Sequence, residues 1–198
     1  MLLEKKIVIW ISDYLKDNNL KSLVVGISGG IDSAVTSTLC AMTGYDTKLL
    51  IMPIHQNINE TKRGLSHCSF LKNKYKNVEI IKSDLTNVYE EIIKKIPKGY
   101  HNKLSLANTR ARLRMSTLYM VSGGVHGIVV GTGNKVEDFG VGFYTKYGDG
   151  GVDISPIADC SKSQVWEMGK SLGILKEIVQ ANPTDGLWDD GRTDVNQL

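Results

Sequence analysis

The chain has 198 residues, a length that suits one domain with its own hydrophobic core and needs no disulfide or structural metal to be stable. Its composition, 41% hydrophobic and 23% charged, is that of a soluble globular protein. A formal net charge of +3 is too small to indicate a nucleic-acid partner, although a local basic cluster would still suit an anionic substrate.

The opening residues MLLEKKIVIWISDYL place Leu3, Ile7, Trp10, Ile11 and Tyr14 at helical spacing, with charges between them. This differs from a signal peptide, which needs an uninterrupted apolar centre and a small-residue cleavage site. Residues 23–27 form a short apolar run, expected as a buried strand, and Gly29-Gly30 breaks it. A helix is expected over 34–43, a strand over 48–52 ending at Pro53, and a helix over 59–75. A third strand covers 78–81. Asp84 is placed to cap a helix that runs to about Lys95, before Pro97. A longer helix covers 104–121 and a fourth strand 127–130. Residues 133–153 read as a glycine-rich loop region. Ser161 with Gln164 three residues on predicts a capping box and a helix to about Leu172, followed by a short helix over 174–180. Strands alternating with helices predict an α/β fold, a doubly wound and mainly parallel sheet with helices on both faces. Such a sheet binds ligands beyond the carboxyl ends of its strands, where strand order reverses.

No apolar run reaches the roughly 18 residues of a membrane span, so no membrane partner is expected. Cys40, Cys68 and Cys160 form no CxxC pair and have no zinc-like partner spacing. They read as reduced thiols of a cytoplasmic protein.

The segment Gly26-Ile27-Ser28-Gly29-Gly30-Ile31-Asp32-Ser33 joins the first strand to the next helix. Glycines there let backbone N–H groups approach an anion, and the helix N-terminus adds positive partial charge. Ser28 and Ser33 offer hydroxyl donors. Asp32 would repel phosphate unless a cation lay between them, which points to magnesium. The segment has no Gly-Lys-Ser/Thr, so it is not a Walker A loop. Ser28 stands where a dinucleotide fingerprint needs its second glycine.

Ser28 to Ser33 reads SGGIDS and resembles the SGGxDS signature of the PP-loop ATP pyrophosphatases, which cleave ATP between its α and β phosphates. Three further segments narrow the resemblance to the ammonia-dependent NAD synthetases: Gly131-Thr132-Gly133-Asn134-Lys135-Val136-Glu137, the run TKYGDGG that begins at Thr145, and the helix segment Asn108 to Met115 (NTRARLRM). The resemblance covers nearly the whole chain, read as a single domain over 1–198. It implies an adenine nucleotide alpha hydrolase-like fold, ATP as a substrate, Mg2+, deamido-NAD and ammonia as the other substrates, and a homodimer.

By position, the resemblance implies ATP contacts at Gly26, Ile27, Ser28, Gly29, Gly30, Ile31, Asp32, Ser33, Thr132, Lys162 and Thr184. It implies magnesium ligands at Asp32 and Glu137, catalytic roles for Asp32 and Lys162, and acceptor contacts at Arg112, Lys146 and Asp153. Alone, Glu137 reads as a solvated acid and the arginines as a solvated helix face. Arg110 and Arg114 share a face at i, i+4, and Arg112 points elsewhere. Relatives continue beyond the equivalent of Leu198 with a tail that carries a His-Lys pair for the dinucleotide, so the chain is expected to lack that tail. No glutaminase-like segment precedes the core, so free ammonia or a separate glutaminase supplies nitrogen. Two other readings stand beside this one: a PP-loop enzyme that modifies another carboxylate or a tRNA, and a nucleotide-binding module without turnover. The lack of paired CxxC motifs and of a strongly basic face argues against the tRNA version.

Overall fold

The structure is a computed structural model that describes residues 1–142 and 144–181. Thr184 therefore lies outside the described residues. The strands β1 (Ser22–Gly26), β2 (Asp46–Ile51), β3 (Val78–Lys82) and β4 (Gly127–Val130) all pair in parallel. Their order is β3-β2-β1-β4. From β1 the chain winds outward through β2 to β3, then returns across the sheet to place β4 on the other side of β1. The switch point therefore lies between β1 and β4, where Val25 pairs with Val130.

Seven α-helices surround the sheet among the described residues: α1 (Leu3–Asp17), α2 (Ile31–Met42), α3 (Ile58–Lys74), α4 (Thr86–Lys95), α5 (Lys103–Gly124), α6 (Lys162–Ser171) and α7 (Lys176–Val179). Alternate strand residues face opposite sides, as the pleat requires. Leu23, Val25, Leu49, Ile51, Ile128 and Val130 share one core with α1, α2, α3, α6 and α7. Val24, Leu50 and Val129 share the other with Tyr89 of α4 and with Met115 and Leu118 of α5. Because both faces are covered, β1 reads Leu-Val-Val without polar alternation. Helix α2 is buried at nearly every position from Ile31 to Ala41, because it lies between the sheet and the outer helices α1 and α6. No helix among the described residues is long and apolar enough to cross a membrane.

Most expected elements appear within a residue or two. The differences are local. Helix α2 starts at Ile31, three residues earlier than expected, because Gly30 takes the extended N-cap conformation (φ −91°, ψ 167°). Asp32 and Ser33 therefore sit on the first turn of a rigid helix. The region expected as loop contains a π-helical turn at Lys135–Val141, capped by the Asn134 side chain. The short helix over 174–180 narrows to Lys176–Val179. Asp84 does accept a hydrogen bond from Thr86 N at 2.9 Å, but the cap position itself is Leu85. The capping box of Ser161 and Gln164 is present.

One core group carries a pH consequence. His67 of α3 is fully buried, with Nε2 3.0 Å from Ser37 Oγ of α2 and no hydrogen-bond partner on Nδ1. Burial lowers its pKa from 6.5 to about 4, against a smaller opposing hydrogen bond to the Ala34 backbone. Below pH 6.5 the unfolded chain takes up a proton that the folded chain refuses, so this contribution to stability falls as pH falls towards 4. The expected loss between pH 7 and 5 is about 2 kcal/mol from this group. Urea denaturation of wild type and His67→Leu across that window checks it. The variant should lose this pH dependence even if its absolute stability is lower.

Candidate nucleotide and cation site

The first loop leaves β1 and enters α2 between the carboxyl ends of β1 and β2. Ile27 N still bonds Leu50 O at 2.8 Å, which continues the ladder by one residue. Gly29 then turns with φ +91°, a conformation that side-chain-bearing residues rarely adopt. A Cβ there would also collide with the backbone carbonyl of Glu60 in α3. Two independent demands thus require glycine at this position. Ser28 Oγ accepts from Gly30 N at 3.2 Å and lies 3.1 Å from Ser33 Oγ. Ser33 Oγ donates to Gly30 O at 3.0 Å, so its hydroxyl is turned into the loop. No side chain caps the N-terminus of α2. Its first N–H groups are therefore open to an anion, with the helix dipole behind them.

Beside this loop, three segments far apart in sequence meet. Lys162, the first residue of α6, places Nζ 2.7 Å from Asp32 Oδ2 and 2.7 Å from Glu137 Oε1. Asp32 comes from the first turn of α2, and Glu137 from the π-helical turn that follows β4. The three side chains are 17–32% exposed. Burial pushes Glu137 above the ordinary carboxylate pKa, the nearby Asp32 adds to this, and Lys162 opposes it. For Lys162 burial acts to lower the pKa, but the two carboxylates outweigh it and the net shift is upward. Asp138, on the same turn, is raised to about 6 by burial and by Asp149, Glu137 and Asp32. The corner is thus acidic and partly dry, and an ammonium ion balances it.

The residues suit magnesium. Two carboxylate oxygens converge on one cation position, and magnesium is commonly held by one or two carboxylates with phosphate oxygens and water. No group of three or more His, Cys, Asp or Glu among the described residues is placed to hold a metal by itself. The protein would supply two ligands, with Lys162 withdrawing, and the nucleotide would supply the rest. Thr132 lies on the segment after β4, one residue past Gly131, whose N–H bonds Ile154 O at 2.8 Å.

Helix α5 organises a second cluster on the other face. Arg112 is exposed, and its Nε donates to the Lys146 carbonyl at 3.1 Å. Asn108 Oδ1 accepts from Thr145 Oγ1 at 2.9 Å, which docks the same loop. Lys146 is exposed, with Nζ 5.0 Å from the centre of the Tyr147 ring. Asp153 accepts from Val129 N at 2.7 Å and from Tyr119 Oη at 2.9 Å, so both of its oxygens are engaged within the protein. Arg112 and Lys146 are therefore joined directly, and Asp153 is held where the loop rejoins the sheet beside β4.

Several residues of the site were not singled out from the sequence. Arg114 is partly buried and donates Nε–H to Met52 O at 3.0 Å, beyond the end of β2. Burial, then repulsion from Arg110, lowers its pKa to about 10, so it stays charged at neutral pH. Gln56 donates to Glu60 Oε2 at 3.1 Å and lies beside the first loop. Asn134 is wholly buried and hydrogen bonded to Asp32. Only Asn134 had a usable signal: an asparagine three residues before a glutamate is a helix-start pattern.

A family model described as NAD synthase matches residues 3–198 of the chain. The NH3-dependent NAD+ synthetase of Alkaliphilus oremlandii is 38% identical over 98% of this chain and 78% of its own length. That of Carboxydothermus hydrogenoformans is 35% identical over 98% of this chain and 79% of its own. Among solved structures, NMN synthetase from Francisella tularensis superposes with a TM-score of 0.90 at 35% identity, covering 98% of this chain and 79% of that one. The NH3-dependent NAD synthetase of Campylobacter jejuni, solved with a nitrate ion, gives 0.81 at 30% identity, covering 89% and 75%.

The charge balance at Lys162 is testable without substrates. Lys162→Met leaves Asp32 and Glu137 facing one another with no cation between them. A wholly buried pair broken in this way loses about 3–5 kcal/mol, and partial exposure reduces the expected loss here to about 1–3 kcal/mol at pH 7. Adding Asp32→Asn to Lys162→Met should restore part of the loss, as read by urea denaturation. Strictly additive effects would show that the two groups do not interact.

Proposed function

Because this chain belongs to the NAD synthase family, we propose that it is an ATP-dependent ligase converting deamido-NAD and ammonia to NAD through an adenylate, with release of AMP and pyrophosphate. One observation carries the catalytic part of this reading. Asp32, Glu137 and Lys162 meet beside an uncapped helix N-terminus at the switch point of the sheet. That arrangement offers anion-binding N–H groups, two carboxylates able to hold a cation and the Lys162 ammonium within one small region.

The triphosphate lies along the loop from Gly26 to Ser33 and the start of α2. Asp32 and Glu137 would hold Mg2+, which would supply positive charge to the phosphates. Lys162 turns from the carboxylates to the phosphates and balances charge on the departing pyrophosphate. Thr132 and Thr184 complete the ATP contacts. Arg112, Lys146 and Asp153 belong to the acceptor half, on the loop that α5 holds. A carboxylate oxygen of the acceptor attacks the α phosphorus, the bond to the α–β bridging oxygen breaks, and pyrophosphate leaves. Ammonia then attacks the acyl carbon, AMP leaves with the bonding pair, and a proton is released. Binding and orientation do most of the work, and no side-chain nucleophile is needed.

A second acceptor is favoured by a specific observation. The Francisella tularensis structure that superposes so closely is named for NMN synthesis. Its acid precursor presents the same pyridine carboxylate without the adenylyl half. Both acceptors share the chemistry, and they differ in how much of the molecule must be held.

The purified protein with ATP, Mg2+ and ammonia should form amide product, AMP and pyrophosphate with deamido-NAD or with the mononucleotide acid, and kcat/KM ranks the two. AMP with neither amide would point to another carboxylate. No product from any acceptor would leave a nucleotide-binding module. Asp32→Asn should abolish turnover in a folded protein. Arg112→Ala should raise the acceptor KM roughly ten- to a hundredfold, about 1.5–3 kcal/mol, with ATP binding unchanged.

The protein is further proposed to act as a homodimer. Helix α4 exposes Val88 and Ile92, with Ile96 exposed at its C-cap, and its neighbour α5 exposes Leu104 near its start. Apolar residues gathered on adjoining helices suit a self-complementary two-fold interface. Sedimentation at micromolar concentration should give a dimer. A fully active monomer would overturn this.

A further inference from the structure

We propose that Asn134 is a positioning residue that sets the mutual geometry of Asp32 and Glu137, an inference that rests on the reading of those two carboxylates as the cation site. Asn134 is 0% exposed, and its planar amide faces in two directions. Nδ2 donates to Asp32 Oδ1 at 3.0 Å. Oδ1 accepts from Val136 N at 3.0 Å and from Glu137 N at 3.2 Å. One side chain therefore grips the Asp32 carboxylate and caps the turn that carries Glu137.

The consequence for Asp32 is an orientation. Its Oδ1 is engaged by Asn134, so Oδ2 is the oxygen presented beside Glu137 Oε1, where Lys162 now sits. The next residue adds a third link, because Lys135 N donates to Cys160 O at 3.0 Å, two residues before Lys162. The three functional side chains arrive on separate elements, and Asn134 stands where those elements meet. A rigid planar amide couples two carboxylate positions that the backbone alone would leave independent. Asn134 touches neither nucleotide nor acceptor in this role, and acts through Asp32 and Glu137.

Two substitutions separate the cap from the link. Asn134→Ser keeps a good helix cap but is too short to reach Asp32. Asn134→Ala loses both. Mn2+ is the probe, titrated by electron paramagnetic resonance with the full chain, alone and with α,β-methylene-ATP. Asn134→Ser should keep a higher urea midpoint than Asn134→Ala yet bind Mn2+ roughly tenfold or more weakly than wild type, the order expected for a lost hydrogen bond to a charged group. Its Mg2+ requirement for turnover should rise by a similar factor while kcat at saturating Mg2+ changes little. Asn134→Ala should show the same metal defect together with lower stability. If Asn134→Ser does not fold, Asn134→Thr, which also caps but is too short to reach Asp32, is read in its place by its Mn2+ affinity. Wild-type metal binding in a folded Asn134→Ser, with a defect only in Asn134→Ala, would reduce Asn134 to a cap and overturn the proposal. Asp32→Asn and Glu137→Gln serve as controls. If they also bind Mn2+ as wild type does, the cation-site reading itself fails, and Asn134 has nothing to position.

Discussion

Two carboxylates held near one another in a partly dry corner repel, and something positive must lie between them. Here that group is the Lys162 ammonium, 2.7 Å from Asp32 and 2.7 Å from Glu137. Much of the architecture can be read as the means of satisfying this requirement. Glu137 must be brought against α2, which the π-helical turn and its Asn134 cap achieve. Lys162 must arrive from the opposite direction, which the capping box at Ser161 and the packing of α6 on α2 achieve. The corner is balanced by attraction across about one hydrogen-bond length, so withdrawing the ammonium would require another cation in its place.

The sheet supplies the rigidity behind that corner. Strands β1 and β4 are paired along their length, and both are buried between two apolar cores. The loops after them therefore start from fixed positions and diverge at the switch point. Catalysis that depends on orientation rather than on a nucleophile needs such a base, because small misplacements of the phosphates are costly in rate. The half proposed to take the acceptor is built differently. Its loop is fastened to α5 by side-chain contacts from Asn108 and Arg112, and to β4 by Asp153. A loop fastened by few contacts can vary between relatives without disturbing the nucleotide half. This fits a family whose solved members are named for both NAD and NMN synthesis.

Helix α5 illustrates how one sequence segment serves several purposes. Arg110 lies over the Tyr89 ring, Arg112 reaches the Lys146 carbonyl, and Arg114 reaches Met52 O at the end of β2. Each two-residue step turns the helix by about 200°, so Arg112 points away from Arg110 and Arg114, and the three reach different neighbours. Periodicity correctly set Arg112 apart from the other two. It carried no information about the neighbours, because these come from the second strand, the fourth helix and a distant loop.

The alternation of apolar runs with amphipathic stretches determined the α/β class and the parallel pairing, because short buried strands joined by helices have few other ways to satisfy their backbones. The glycines and hydroxyls of residues 26–33 determined an anion-binding turn for equally local reasons, since Gly29 needs a positive φ and the following helix needs an open N-terminus. Asp32 stood out within its own loop, whereas Glu137 and Lys162 were singled out by resemblance to the family. Local pattern did not place the Lys162 ammonium between the two carboxylates, commit both Asp153 oxygens to Val129 and Tyr119, or make Asn134 the shared partner of Asp32 and the Glu137 turn. Apart from the local cap of Asn134 on Glu137 N, those are pairings across 24 to 130 positions of chain. They exist only once strand order, helix packing and burial have decided which charges lose water together, and nothing in the spacing of residues along the chain encodes that loss directly.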